Sequence, residues 1–425
     1  MIEKFSNIDE VRETLNRIPK FSTDGQAAAN FNLDRMRVLC EIMGNPQNNF
    51  ESIHVAGTNG KGTICRLLSS IYQNAGYKTA LYTSPHLERV EERFRINTTE
   101  ISEEKLIQFF RNYGNTLLEG GYTFFEITTA IAFWFFSTED VDLAIIETGL
   151  GGRLDATNVI QPIATVISSV GIDHSEILGD TIPAIAAEKG GIIKNEVPVF
   201  IGDLKKEAYD VILQIAQKSH SELIPVDSTG SVYKNGKVRI KSGNGQLLMY
   251  SETFKEIDLL NILLCLNVVS YLQPFYPVED KEFREGVETM TSLYTKRAVF
   301  ERLDSNLNWY FDGAHNADAV THLVQHLKQL APKTSWNVVL SFMSDKLSEE
   351  LAKRWSDFDS IFVYEMPYDR AAKIDELLTY FPSAKVLNEK NLNNLNDLKS
   401  ELVIFSGSFY FYTIARRWLG TLNAS

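Results

Sequence analysis

The chain has 425 residues, 44% of them hydrophobic, and a formal net charge of −13. That length supports two or three domains with buried cores, and the acidic balance excludes a general nucleic-acid binder, which needs a basic face. Three separated cysteines, Cys40, Cys65 and Cys265, make no CxxC pair, so no disulfide or zinc framework is expected and a reducing cytoplasm is.

In chain order, residues 1–50 read as a helical lead-in without a signal-peptide core. The turn-like Ser22-Thr23-Asp24-Gly25 precedes a helix from about Leu33 to Met43. Ile53–Ala56 predicts a buried strand that breaks into a loop holding Gly57, Gly60 and Gly62 around Lys61. A helical pattern follows at once in Ile64, Leu67, Leu68 and Ile71. Glycines let backbone N–H groups approach phosphate oxygens, and a helix start adds its positive dipole end. Lys61 would offer an ammonium to the outer phosphates and Thr63 a hydroxyl toward Mg²⁺, so a nucleoside triphosphate is the predicted ligand. Gly62, between the lysine and the threonine, departs from the standard Walker spacing.

Lys78–Thr83, Val141–Glu147, Ile163–Val170 and Pro198–Ile201 are further predicted strands with helical patterns between them. The longest apolar run, Ile127–Phe136, is too short to span a bilayer and reads as a core helix. Such alternation predicts an α/β fold with a mostly parallel sheet covered on both faces, whose ligands gather at the carboxyl ends of strands. Gly57, Ser84, Glu147 and Asp173-His174 all follow strand ends. Glu147 either supplies Mg²⁺ with a hard oxygen or merely caps the Gly-rich turn after it. His174 is a candidate metal or phosphate contact. Lys189, before Gly190-Gly191, reads on physics alone as an ordinary lysine complementing a helix dipole. Arg89, Arg93 and Arg95 offer a local basic patch or are simply solvated.

Residues 221–251 predict a small antiparallel insert, broken at Asn235-Gly236 and Gly243-Asn244-Gly245. Phe254–Tyr271 is a predicted helix. From Val299 the alternation restarts with strands at Trp309–Asp312, Trp336–Ser341, Ser360–Tyr364 and Leu402–Ser406, a second α/β domain. There Asp312 suits ribose hydroxyls, Asn316 suits either a ligand or a helix cap, and Arg297 is a candidate phosphate clamp or a solvated arginine.

Six segments in order carry a resemblance: HVAGTNGKGT (54–63), YTSPHL (82–87) with ERFRIN (92–97), TFFEITTAIAF (123–133), ETGLGGRLDATN (147–158), GIDHSEILGDTIPAIAAEKGGIIK (171–194) and DGAHNADA (312–319). Together they resemble the folylpolyglutamate synthase/dihydrofolate synthase family, relatives of the Mur ligases, from about Phe21 to Phe409. The resemblance implies an N-terminal Mur-ligase-like P-loop ATPase domain over 1–295 and a smaller C-terminal Rossmann-like glutamate-ligase domain over 296–425, with catalysis in the cleft. It implies that Gly57, Thr58, Asn59, Gly60, Lys61, Gly62 and Thr63 bind ATP, with Asn261, Arg297, Asp312 and His315 completing the nucleotide site. Ser84, Glu147, His174 and a carbamylated Lys189 are the implied ligands of a pair of Mg²⁺ ions, which replaces the dipole reading of Lys189. Thr123, Phe125, Leu154 and Asp155 fall at positions beside the pterin-containing substrate.

The implied reaction joins L-glutamate to dihydropteroate or a reduced folate through an acyl phosphate, with Lys61, Lys189, His174 and Glu147 as the catalytic set. A cytoplasmic monomer with no nucleic-acid or membrane partner is expected. The chain departs from the family pattern at Ile257-Asp258, where a His-Gln pair is usual, at Thr295-Lys296, where Pro-Gly is usual, and at Gly190, where alanine is usual. Two rivals remain on sequence: a Mur-type ligase acting on a UDP-linked muropeptide, and a nucleotide-dependent binding module without ligase activity.

Overall fold

A computed structural model of the chain describes residues 5–18, 32–229, 231–234, 237–242, 245–250, 256–294, 298–331, 335–391, 395, 397–399 and 401–424. The turn at Ser22–Gly25, the Thr295-Lys296 departure and Arg297 lie outside the described residues. The chain divides into two compact units, Met1–Tyr294 and Thr295–Ser425.

The first unit is built on a sheet of β1 (Glu51–Ala56), β2 (Thr79–Tyr82), β3 (Phe94–Ile96), β4 (Thr99–Glu100), β5 (Leu143–Glu147), β6 (Ala164–Ile167), β7 (Val199–Ile201) and β8 (Leu223–Pro225). The strand order is β4-β3-β2-β5-β1-β6-β7-β8. Six of these strands, β2 through β8 in that order, run parallel. The chain leaves β1 for β2, skipping the place that β5 later fills, and returns on the other side with β6, so the order reverses around β1. In open sheets of this kind ligands gather at the strands' carboxyl ends beside such a reversal. The antiparallel edge pair β3–β4 was not legible as strands, because two- and three-residue pieces leave no measurable alternation.

Side-chain alternation fills both faces of the sheet. Leu143 and Ile145 pack into one core with Ile53, Val55, Leu68 and Ile71. Ala144 and Ile146 face the other, with Phe109, Phe133 and Phe136. The helix Phe124–Thr138 lies in that second core, buried nearly all round, as its run Ile127–Phe136, apolar apart from its threonines, predicts. No helix among the described residues is long and apolar enough to cross a membrane.

The helix after β1, Lys61–Asn74, is held from behind by the helix Asp280–Leu293. A Cβ at Gly286 would stand 2.5 Å from the Cα of Ile71, so glycine is what lets the two backbones approach. Ser70 donates to the Gly286 carbonyl (2.6 Å), and the Ser69 hydroxyl meets the Tyr294 hydroxyl (2.7 Å).

The predicted insert is an antiparallel sheet of β9 (Val232–Lys234), β10 (Lys237–Ser242) and β11 (Gly245–Tyr250). Asn235-Gly236 and Gly243-Asn244 lie outside the described residues. Val238, Ile240 and Met249 join the first core beside the helix Glu256–Leu272.

In the second unit β12 (Glu301–Arg302), β13 (Trp309–Asp312), β14 (Trp336–Leu340), β15 (Ser360–Val363), β16 (Lys385–Val386) and β17 (Leu402–Ser406) form one sheet in the order β12-β13-β17-β14-β15-β16. Only β12 is antiparallel to its neighbour.

Candidate functional site

The loop after β1 is shaped by its glycines. Gly57 has φ +154° and Gly60 φ +86°, and a Cβ at Gly57 would fall 1.9 Å from Ser168 Oγ. The loop is tied to the end of β6: Thr58 N–H donates to the Ser169 carbonyl (2.9 Å), Asn59 N–H to Ser169 Oγ (2.9 Å), and Ser168 Oγ to the Asn59 carbonyl (2.7 Å). Gly60 is the N-cap of the helix Lys61–Asn74 and brings no side chain to it. A helix start without a side-chain cap, here with Gly62 and Thr63 in its first turn, is the kind that suits an anion. The Lys61 ammonium donates to the Gly57 and Thr58 carbonyls (2.9 and 3.3 Å), at the mouth of the loop. Asn261, on the helix Glu256–Leu272 with Ile257 and Asp258 one turn before it, places Oδ1 3.1 Å from where a Gly60 Cβ would be.

Glu147 ends β5 and is 4% exposed. Its carboxylate accepts the Ser84 N–H (3.0 Å), which joins the ends of β2 and β5. Burial pushes its carboxyl above the usual range, against the pull of Lys61, Arg66 and Arg93. Capping of the Gly-rich turn falls to another residue: Asp155 accepts the Gly149 and Leu150 amides (both 2.8 Å). Asp155 also accepts Thr157 N–H (3.0 Å) and Thr157 Oγ–H (2.5 Å), so its own loop fills its four acceptor sites. Burial raises its carboxyl too, and these donors hold it back.

Lys189 does not behave as a dipole-complementing surface lysine. It is the penultimate residue of the helix Ile182–Gly190 and is 3% exposed. Burial brings its ammonium down to about 7, helped by Lys61 and opposed by Asp173 and Asp155. The Gly-rich turn packs on the end of this helix: Arg153 N–H donates to the Glu188 carbonyl (2.7 Å), and a Gly152 Cβ would lie 3.0 Å from the Lys189 carbonyl. His174 takes left-handed backbone (φ 51°) at the head of Ser175–Leu178, its N–H on Asp173 Oδ1 (2.9 Å).

The basic patch resolves into two parts. Arg89 (2.6 Å) and Arg95 both pair with Glu100. Arg93 is buried, donates to His86 Nδ1 (2.8 Å) and lies over the Phe124 ring. Thr123 caps the helix Phe124–Thr138 in a reciprocal box with Glu126. A Cβ on Gly149 would collide with the Phe125 ring at 2.4 Å, and Leu154 is half-buried on the same Gly-rich loop. Sequence reading missed Arg66, whose spacing of four from Gly62 puts both on one helix face; Nη1 lies 3.2 Å from a Gly62 Cβ position.

In the second unit Asp312 accepts Phe300 N–H (2.9 Å) and Ala314 N–H (3.1 Å). Asn316 is the cap of the helix Ala317–Leu330, accepting Ala319 N–H at 2.9 Å. His315 Nδ1 is 2.7 Å from the Gly313 carbonyl and its ring meets Phe409 edge-on.

Two family models match the chain: the Mur ligase middle domain over residues 55–263 and the Mur ligase, glutamate ligase domain over 299–409. A dihydrofolate synthase/folylpolyglutamate synthase of Bacillus subtilis is 30% identical, covering 91% of this chain and 94% of its own length. A folylpolyglutamate synthase of Lacticaseibacillus casei is also 30% identical with the same coverage. Among solved structures, the apo form of L. casei FPGS superposes with TM-score 0.80 at 26% identity, covering 97% of this chain and 99% of that one. An FPGS–AMPPCP–folate complex gives TM-score 0.80 at 25% identity with equal coverage.

Proposed function

The chain belongs to the folylpolyglutamate synthase/dihydrofolate synthase family of Mur-type ligases, and on that premise we propose that it joins L-glutamate to dihydropteroate or to a reduced folate in an ATP-driven reaction. One observation carries this reading. Lys61, Glu147 and Lys189, from three separated segments, come to the carboxyl end of one parallel sheet, and the last two are buried there.

A carboxylate is a poor acyl donor, because oxide would have to leave. Phosphoryl transfer from ATP makes an acyl phosphate. The glutamate amine then attacks the acyl carbon, the bond to the phosphate oxygen breaks, and phosphate departs with the electron pair. The amides of Gly57–Thr63 and the Lys61 ammonium are placed to hold the triphosphate and offset charge on the transferring group. Asn261 lines the same loop, while Asp312 and His315 remain the second unit's candidates for the nucleotide.

The donor set suits Mg²⁺. Burial makes the Glu147 carboxylate costly without a nearby cation; Ser84, just past β2, already meets it through its N–H, and His174, beyond the end of β6, is a ligand by family position. Mg²⁺ held there would neutralise phosphate charge. An ammonium at Lys189 would repel such ions, whereas its amine, neutral in good part at pH 7, can attack CO₂ and lose a proton to become an anionic carbamate. Thr123, Phe125 and Leu154 border the turn expected to meet the pterin, and Asp155 builds that turn. Three buried thiols suit a cytoplasmic setting, and the reading takes the chain as a monomer.

The test is a substrate panel: dihydropteroate and tetrahydrofolate, each with ATP and labelled glutamate. A glutamylated pterin product, with phosphate release requiring both glutamate and pterin, is expected. Phosphate release that neither co-substrate stimulates would overturn the reading.

A further inference from the structure

One buried histidine has no part in the scheme above. His54, in the middle of β1, is fully buried, and its Nε2 lies 2.8 Å from Thr157 Oγ1. The direction of that bond follows from its neighbour. Thr157 Oγ1 donates its single proton to Asp155 Oδ1 (2.5 Å), so toward His54 it can only accept. His54 is therefore the neutral Nε2–H tautomer and donates. Burial and the charge of Lys194 bring it down to about 3, which keeps that form. Donors thus converge on Asp155: His54 Nε2–H donates to Thr157 Oγ1, Thr157 Oγ1–H donates to Asp155, and the amides of Gly149 and Leu150 donate to Asp155 as well. The next residue is pinned as well. Asn158 Nδ2 donates to the Arg153 and Gly191 carbonyls (3.0 and 2.9 Å), and Lys194 Nζ to the Asn158 carbonyl (2.9 Å).

We propose that His54 is a positioning residue for the ligation: through Thr157 it fixes Asp155 and so sets the Gly149–Asn158 loop against the helix end that carries Lys189. The proposal rests on the ligase reading for its consequence, though not for its geometry. β1 thereby serves twice. Its end opens into the phosphate loop, and its middle supplies the donor that orders the turn after β5.

Four variants test it. His54→Phe keeps the ring and loses the donor, while His54→Gln keeps a donor at the ε position. Thr157→Val removes the hydroxyl at equal shape, and Thr157→Ser restores it. The expected result is a fall in kcat of about tenfold or more in His54→Phe and Thr157→Val, with KM for ATP little changed. The Gln and Ser variants should recover most of the loss, and His54→Phe/Thr157→Val should be no worse than either single change. Amide exchange at Gly149 and Leu150 should quicken in the first pair only, and that readout needs no turnover. A parent chain that makes no glutamyl product thus fails the ligase reading alone. Normal exchange and kcat in both donor-less variants, no recovery by Gln and Ser, or multiplicative losses in the double variant would each overturn the proposal. Thr157→Val decides the matter by itself if His54→Phe does not fold.

Discussion

Both units place a strand, a tight loop and a helix start in succession within a mostly parallel sheet, yet the two helix starts are finished differently. In the first, Gly60 brings no side chain to the N-terminus of Lys61–Asn74, and the Lys61 ammonium stands at the loop's mouth. In the second, Asn316 already accepts Ala319 N–H, and Asp312 accepts the amides of Phe300 and Ala314. One helix start thus lacks a side-chain cap and the other has one, and an open start is the kind that suits an anion. Loss of Lys61 in the first loop should therefore strike turnover, and loss of the Asn316 cap in the second should strike stability.

The largest effect is expected at Lys61. Lys61→Ala should abolish glutamate-dependent ADP release in a chain that still folds, since among the described residues the ammonium's hydrogen bonds go to carbonyls of its own loop. Near-normal turnover would break the comparison at its first term. Lys189→Ala should come next, crippling turnover while leaving ATP-analogue binding measurable. Partial rescue by a small carboxylic acid such as acetate would show that an anionic oxygen donor is what the position supplies. Absence of rescue, together with an unmodified lysine in the intact mass of the parent, would remove the carbamate from the scheme.

Asn316→Ala tests the other half. Loss of the cap should cost about 1 kcal/mol of stability, read as a lower urea midpoint, with ADP release still dependent on glutamate. A collapse of turnover at unchanged stability would mean that the second helix start also serves a ligand.

These contrasts were partly legible in the sequence. The parallel sheets, the core helix Phe124–Thr138 and the glycine loop followed from period and punctuation, because buried strands and Gly-rich turns impose their own composition. The state of Lys189 did not follow. A lysine before two glycines looks the same whether solvent or protein surrounds it, and only packing of the Gly-rich turn against that helix end decides. The division of labour between Glu147 and Asp155 was hidden for a similar reason. Both carboxylates flank one turn, and which of them caps it depends on Ser84, more than sixty residues away in the chain. His54 reads as one more residue of a buried strand, since its partner Thr157 lies 103 positions on.

That buried histidine also predicts a pH effect on stability that leaves neutral pH untouched. In the unfolded chain His54 takes up a proton near its ordinary value of about 6.5, whereas in the folded chain burial holds it to about 3. The unfolded state therefore binds the extra proton across that interval. Stability is unaffected by His54 above about pH 6.5 and falls as the pH drops toward 3, by up to roughly 1.4 kcal/mol per pH unit for this one group. His54→Gln has nothing to titrate, so its stability should decline less steeply than the parent's between pH 6.5 and 4.5, by less than one proton's worth in linkage analysis of urea midpoints. Parallel curves would mean that His54 already carries a charge in the folded chain. Thr157 Oγ1 would still accept from it, but the argument for a neutral donor inside β1 would be gone.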